Sequence, residues 1–342
     1  MKNIVYFIGA GFSVPAGLPV LSNFLFRSRE QFQNNAQKYE YFGSVFKYID
    51  SLSKAKNFVS VDLFNIEEIF SIADTHSLLK GSSSHELERF IKDVIDFYTP
   101  PFKPDVSTLN TNNIRQIFFG DYRANSLYIP FVSSLLGLAY SSTNSGLNII
   151  RKNISVEKKE SPEASYKIIS LNYDNIIERC VSYINETFSA AEKISIGIAK
   201  LHGSVDKKII PPTWNKRITD NLEKDWKNAA LWLSEATEIR ILGYSLPKTD
   251  MYIRHLFSTA LVESNYLQKI DVMCIDGDGG TEARYNDMFC FPHYSFHNID
   301  LAHYISQFRL HFSTVMPLLS EDYNSEQMHT DAMKYFASRQ VN

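Results

Sequence analysis

The chain has 342 residues, of which 44% are hydrophobic and 21% are charged. This is the composition of a soluble globular protein with enough core for one large domain or two modest ones. The formal net charge of −3 excludes the strongly basic surface typical of proteins that bind nucleic acid through its phosphates. We therefore expect no direct nucleic-acid binding.

Three cysteines are present, Cys180, Cys274 and Cys290. Their number and spacing exclude a four-cysteine zinc site within one chain and disfavour a disulfide framework. We expect no metal and a reducing, cytoplasmic compartment. The N-terminal residues lack the apolar stretch and cleavage site of a signal peptide, and no run of about 18 apolar residues predicts a membrane-spanning helix.

The first predicted element is a short buried strand over Ile4 to Ile8. It runs into the glycine turn Gly9-Ala10-Gly11, with a helix expected soon after. Backbone N–H groups in such a turn can approach a phosphate closely. The usual dinucleotide fingerprint has a third glycine where this chain has Val14, so a tight structural turn stays open as the alternative to nucleotide binding.

Residues 31–160 have apolar residues at helical spacing and little strand signal, which predicts a mostly helical insertion. Within it, Phe131 to Tyr140 is predicted as a buried helix. Strands alternating with helices follow, and this alternation predicts an α/β fold with a doubly wound, parallel, Rossmann-like sheet. These later strands are predicted at Tyr166–Leu171, Ile194–Leu201, Glu238–Leu242 and Lys269–Ile275.

The predicted organisation has three parts. Residues 1–30 and 161–320 form the domain that contains the Rossmann-like sheet, and residues 31–160 form the insertion. Residues 321–342 are polar and are predicted to be a peripheral tail.

Each predicted strand ends in a polar or glycine-rich cluster. Because the carboxyl ends of parallel strands meet at one edge of a sheet, where such folds place their chemistry, the clusters together predict a single site. The clusters are Gly9–Ser13, Asn172–Asp174, His202–Ser204, Gly243–Ser245 and Asp276–Gly280.

Four motifs resemble those of the sirtuin (SIR2) family, in the family's order. G-A-G-F-S-V-P-A-G-L-P, from Gly9, is similar to G-A-G-x-S-x-x-x-G-I-P, and S-L-N-Y-D, from Ser170, is similar to T-Q-N-I-D. L-H-G, from Leu201, matches the family's histidine–glycine pair, and G-Y-S-L, from Gly243, resembles G-T-S-L. The resemblance covers short parts of residues 1–22 and 166–280 and implies a sirtuin-like fold that binds NAD across the sheet edge.

The resemblance also implies which residues contact NAD. Asp276 is a further candidate, for the adenosine ribose, because it follows the last predicted strand. The contacts implied for the phosphate and ribose groups come from Gly9, Ala10, Gly11, Ser13, Gly243 and Ser245.

For the reaction itself, the resemblance implies that Asn172 lies at the nicotinamide ribose, Asp174 holds the carboxamide and His202 is the base. Cleavage of the nicotinamide–ribose bond passes through an oxocarbenium-like transition state, and histidine is suited to act as a base near neutral pH. From the residues alone, Asp174 could instead cap the following helix, and Gly243 could be a strand-to-loop hinge.

The chain departs from protein-deacylating sirtuins, which carry a four-cysteine zinc module and continue the first motif as D-F-R, where this chain has Val20-Leu21-Ser22. Its zinc-free pattern, with N-Y-D and G-Y-S-L-P, resembles SIR2-like domains of bacterial anti-phage systems. That resemblance implies an NAD⁺ glycohydrolase that depletes NAD during infection. An NAD-dependent ADP-ribosyltransferase or deacylase, or a non-catalytic module that senses NAD or ADP-ribose, stays open.

The same resemblance implies regulation by association. The partner would be a further copy of the chain, in a homo-oligomer, or a second protein such as a HerA-type ATPase or a short Argonaute. We expect the helical insertion to gate the site, either as a lid over the pocket or by presenting an apolar surface to another subunit. An insertion that only extends the core stays open as the alternative.

Overall fold

The computed structural model describes residues 1–80, 85–102, 123–142, 154–158, 164–209, 220–248, 250–314 and 325–337. Within these residues the chain forms nine β-strands. They are β1 (Lys2–Ile8), β2 (Leu138–Ser142), β3 (Ile154–Lys158), β4 (Ala164–Ser170), β5 (Ser189–Ala190), β6 (Ile198–Lys200), β7 (Glu238–Leu242), β8 (Lys269–Cys274) and β9 (Tyr294–Asn298).

The same residues form eleven α-helices, none of which is long and apolar enough to cross a lipid bilayer. A short 3₁₀ helix, Ala10–Ala16, follows β1 directly. The α-helices are α1 (Phe24–Asn34), α2 (Phe42–Leu52), α3 (Ile66–Lys80), α4 (His85–Tyr98), α5 (Arg123–Leu135), α6 (Ile176–Thr187), α7 (Asp220–Ser234), α8 (Met251–Val262), α9 (Gly280–Asn286), α10 (Leu301–Thr314) and α11 (Ser325–Ala337).

Six strands form one sheet in the order β6-β4-β1-β7-β8-β9, with every neighbouring pair parallel. Strand β1 is central: Lys2 pairs with Ala164 on β4, and Ile4 pairs with Glu238 on β7. When the six strands of this sheet are numbered one to six along the chain, their spatial order is 3-2-1-4-5-6, as in doubly wound folds. The winding of such folds reverses between the first and fourth strands, which here are β1 and β7. The predicted doubly wound parallel sheet is confirmed.

Both faces of the central strand are covered. Successive side chains of a strand point to opposite faces, so Tyr6 packs among residues of α1–α6, α10 and α11, whereas Val5 and Phe7 pack among residues of α7, α8 and α9. All three side chains are fully buried. Double burial explains why β1 is a continuous apolar run rather than an alternating one.

The region between β1 and β4 contains helices α1–α5 and also strands that the sequence did not predict. The run from Phe131 to Tyr140 is not one helix: α5 ends at Leu135, Gly137 adopts a φ of 62°, and β2 begins at Leu138. Strand β2 pairs with β3, and β3 pairs with β5, in a second sheet. A short, largely apolar run fits a buried helix and a buried strand equally well.

Parts of the predicted insertion lie outside the described residues. They are residues 81–84, 103–122, 143–153 and 159–160.

Two further strands differ from the prediction. Strand β6 covers only Ile198–Lys200 of the predicted Ile194–Leu201, with Gly197 directly before it. Glycine weakens a strand interior because it costs backbone entropy and packs no side chain. Strand β9 was missed because its sequence, Y-S-F-H-N, has only two large apolar residues to carry an alternating pattern.

The described part of the predicted tail belongs to the core. Helix α11 packs Met328, Ala332 and Met333 against the main core, and its His329 is fully buried. The His329 ring contacts the Tyr6 hydroxyl through Nδ1 at 2.6 Å and the Ser134 hydroxyl through Nε2 at 2.9 Å. The prediction of a peripheral tail is therefore wrong for Ser325–Ala337. Among the side chains that the structure describes there, the apolar ones that pack are few and stand in a polar sequence, so the residue pattern offered little sign of burial.

Candidate active site

A cavity of about 520 Å³ lies at the carboxyl edge of the main sheet, at the reversal point between β1 and β7. On the sheet side it is lined by the turns after β1, β4, β6 and β7. On the opposite side it is lined by apolar side chains of α1, α3 and α4, among them Phe24, Phe70 and Ile95. The reversal point of a doubly wound sheet is where these folds bind ligands.

The structure brings most of the predicted site residues together around this cavity. Gly9 and Asp276 lie just outside its lining: a Cβ on Gly9 would meet the Tyr244 Cα at 2.6 Å, and Asp276 accepts the Glu282 N–H at 2.8 Å, beside the start of α9. The predicted residues that line the cavity are Ala10, Gly11, Ser13, Asn172, Asp174, His202, Gly243 and Ser245.

Ser13 joins the first turn to the end of β4. Its buried hydroxyl donates to Asp174 Oδ2 at 2.7 Å and accepts from Asn172 Nδ2 at 3.0 Å. Asp174 Oδ1 also accepts the Ile176 N–H at 3.1 Å, at the start of α6. Asp174 is not the N-cap of α6, which is Asn175, but it accepts the first N–H of that helix from one residue earlier and also lines the cavity.

The two glycine turns at the reversal point pack directly against each other. The Gly9 N–H donates to the Leu242 carbonyl at 2.9 Å, and the Gly11 N–H donates to the Gly243 carbonyl at 2.8 Å. The resemblance implied phosphate contacts for Gly9 and Gly11, but the N–H groups of both residues are bonded within the chain. Gly243 has a φ of +65°, and a Cβ there would lie 2.4 Å from the Phe12 nitrogen, so glycine is required by the packing of the turns.

His202 follows β6 and is 3% exposed. Its Nε2 lies 3.8 Å from Oδ2 of Asp250, which is itself 2% exposed and accepts a hydrogen bond from the Tyr244 hydroxyl at 3.0 Å. The Tyr173 ring lies beside the imidazole, with centroids 6.1 Å apart. Sequence reasoning missed Asp250 because acidic residues at helix starts are common.

The cavity lining is acidic. Four of the lining residues carry carboxylates, and within the described residues none is lysine or arginine. Burial, followed by the charges of Glu67 and Asp250, holds the pKa of Tyr173 well above its usual range. The four carboxylate residues are Glu67, Asp174, Asp250 and Asp300.

The cavity lining includes one cysteine, and its thiol is a weak nucleophile. Burial, with the charge of Asp276, raises the pKa of the Cys274 thiol to about 11, so this lining residue stays protonated and poorly nucleophilic near neutral pH. Across the part of the chain that the structure describes, no group of three or more histidine, cysteine or acidic side chains is arranged to hold a metal ion.

Comparisons with known proteins give distant structural likenesses only. No protein-family model and no curated protein matches the chain. Among solved structures, a Sir2–p53 peptide–NAD⁺ complex is 12% identical over 92% of this chain and 95% of that chain, with a TM-score of 0.40. Sir2Tm bound to a propionylated peptide is 12% identical over 90% and 91%, with a TM-score of 0.38.

Proposed function

We propose that the protein is an NAD⁺ glycohydrolase. Water replaces nicotinamide at C1′ of the ribose, the C–N bond breaks, and the products are nicotinamide, ADP-ribose and one proton. The observation that carries the proposal is the juxtaposition of Asn172, Asp174 and His202, all less than 9% exposed, around one cavity at the reversal point of the sheet.

The charge of the cavity supports this reaction. The nicotinamide end of NAD⁺ is cationic, and its departure leaves positive charge on the ribose in an oxocarbenium-like transition state. Fixed carboxylates in a poorly solvated site stabilise such charge more strongly than water does. Asp174 and Asp250, 8% and 2% exposed, would provide that field.

The polar side chains divide the remaining tasks. Because Ser13 accepts from Asn172 Nδ2, the amide carbonyl of Asn172 is the atom assigned to a ribose hydroxyl or to the attacking water. His202 would take the proton that this water loses as it adds to C1′. Histidine is effective in this role because its ordinary pKa lies near neutral pH.

Purified protein incubated with NAD⁺ tests the proposal. Release of nicotinamide together with free ADP-ribose indicates hydrolysis. Nicotinamide release with ADP-ribose attached to protein would indicate a transferase, and nicotinamide release that depends on an acylated peptide would indicate a deacylase. Tight binding of NAD⁺ without any product, by protein alone and with candidate partners, would indicate a sensor and contradict the proposal.

We also propose that the reaction depletes cellular NAD in bacterial defence against phage and is held inactive until a trigger arrives. A hydrolase that acted without control would consume the NAD of its own cell. Helices α3 and α4, which supply one wall of the cavity, offer a movable lid for this control. The controlling assembly would be a homo-oligomer or a complex with a separate defence protein.

A further inference from the structure

A buried carboxylate faces the imidazole at the centre of the candidate site. Asp250 Oδ2 and His202 Nε2 are 3.8 Å apart, and both residues are almost fully buried. At this distance the two groups interact electrostatically and do not form a hydrogen bond to each other. Contacts between catalytic groups often shorten only when substrate binds.

Helix capping does not explain Asp250. The residue occupies the N-cap position of α8, where aspartate usually accepts an N–H from the first turn, but its side chain makes no capping hydrogen bond to that helix. Its Oδ2 atom instead accepts from the Tyr244 hydroxyl at 3.0 Å. The carboxylate is thus held on the side of the imidazole rather than over the helix end.

Three further groups near this pair come from three different parts of the fold. Tyr244 follows β7 and Tyr173 follows β4, while Glu67 reaches the cavity from α3 in the insertion. Burial holds the pKa of both tyrosines well above the usual range, with Asp250 adding to the shift in each. Both hydroxyls therefore stay protonated, and the Asp250 carboxylate lies 3.8 Å from the imidazole.

We propose that Asp250 is the positioning residue of His202: it fixes the ring and keeps a proton on Nε2, so that the opposite ring nitrogen acts as the base. A carboxylate orients a histidine and stabilises its charged form in this way in hydrolases with a catalytic triad. The expected effect on the rate of NAD⁺ cleavage rests on the proposed function. The interaction between Asp250 and His202 can be measured in protein that is not turning over substrate.

The decisive experiment is an NMR titration of the histidine ring nitrogens in the full chain. The signal of His202, one of nine histidines, is assigned by its loss in His202→Gln. In Asp250→Asn the carboxylate charge is removed at nearly constant shape, and we expect the His202 titration midpoint to fall by about one pH unit or more. In Asp250→Glu, which keeps the charge, the midpoint should stay nearer the wild-type value.

Kinetics provide a second readout. Asp250→Asn should lower kcat for nicotinamide release by about 10²-fold or more with little change in KM, and the acidic limb of the pH–rate profile should move with the His202 titration. The matched control is Asp271→Asn. It removes a carboxylate of similar burial, 3.1 Å from the His297 ring, outside the cavity lining, and should leave the His202 titration unchanged.

A His202 titration that is unchanged in folded Asp250→Asn would overturn the inference even if the enzyme hydrolyses NAD⁺. A shifted titration in a protein that never cleaves NAD⁺ would support the pairing and contradict the proposed function. If Asp250→Asn does not fold, the variant Tyr244→Phe tests the inference in its place. It removes the hydroxyl that donates to the same oxygen, so the His202 midpoint should rise, and a midpoint that does not rise would overturn the inference.

Discussion

At the scale of single residues, the candidate site depends on side chains that are distant in sequence and hydrogen-bonded in space. Ser13 bonds to both Asn172 and Asp174, 159 and 161 positions away. Buried polar groups paired in this way hold a fixed geometry, because losing either partner leaves a buried group unsatisfied. The Asn172 amide is therefore oriented before any ligand arrives, as positional catalysis requires.

We predict that Asn172→Ala and His202→Ala each lower the rate of nicotinamide release by about 10²–10⁴-fold, because a positioned acid–base or ribose-binding group is lost. Both residues follow strand ends at the cavity, so truncation should leave the fold intact. The measurement is nicotinamide release by chromatography, alongside the thermal unfolding midpoint.

The matched controls for these variants are Asn265→Ala and His293→Ala, which change exposed residues of the same types and should keep wild-type activity. A folded Asn172→Ala or His202→Ala protein with near-wild-type turnover would remove that residue from the mechanism.

The sequence patterns identified the site residues that follow buried strands and missed the site residues at the starts of helices. Asn172 and His202 stand directly after apolar runs, where a polar residue is unusual enough to be noticed. Asp250 and Glu67 begin helices, where acidic residues are favoured by the helix dipole whatever their function. Their position facing the cavity depends on how α8 and α3 pack, which periodicity does not predict.

At the scale of secondary-structure elements, the contact between the turns after β1 and β7 sets the shape of the cavity edge. Gly243→Ala is predicted to lower the free energy of unfolding by about 1–3 kcal/mol or more, because it adds left-handed strain and places a Cβ 2.4 Å from the Phe12 nitrogen. The comparison is Gly277→Ala, where a Cβ meets open space. Equal unfolding midpoints for the two variants would contradict this account.

The elements that the sequence predicted best are the buried strands β1, β7 and β8, each of which ends at a polar or glycine-rich cluster. Strand β1 contains a continuous apolar run, whereas β7 and β8 have Arg240 and Asp271 between apolar residues. The elements that the sequence missed receive their stability from tertiary contacts. Strand β2 lies in an apolar run shared with α5, and β9 has a short, weak alternation. Helix α11 has a largely polar sequence in which Met328, Ala332 and Met333 are the packed apolar residues named above, and this pattern did not identify it as part of the core.

Helix α11 also predicts a pH dependence of stability. Burial, followed by the Arg240 charge, holds the pKa of His329 well below its usual range. Between that depressed value and the unfolded value of about 6.5, the unfolded chain binds a proton that the folded chain does not. The free energy of unfolding should therefore fall as the pH falls below about 6.5, by up to about 1.4 kcal/mol per pH unit from this group.

Urea unfolding at several pH values between about 5 and 7 measures this effect. We expect His329→Gln to have a shallower pH dependence than the wild type. His255→Gln, at an exposed histidine, should keep the wild-type slope. Identical slopes in the wild type and His329→Gln would exclude His329 as the source.

At the scale of the whole molecule, the insertion and the sheet share the cavity, so assembly can control access to it. We predict that the rate of NAD⁺ cleavage per protomer rises about tenfold or more between dilute monomer and the assembled state, as a shift of about 1.4 kcal/mol in the lid equilibrium would produce. Nicotinamide release measured across a dilution series, with mass from light scattering, tests this. Full activity of a dilute monomer without partner or ligand would contradict it.

The place of β1 in the sheet has a consequence for how the chain acquires its structure during synthesis. Its partners lie far along the sequence, since Asn3 bonds to Thr237, 234 positions later. At a translation rate of about 5–20 residues per second, roughly 10–50 seconds pass between the emergence of β1 and that of β7. For that time the most apolar strand has an unpaired edge, the state in which nascent chains associate wrongly. Folding of this protein is therefore limited by its non-local pairing, and its first strand is among the last to be completed.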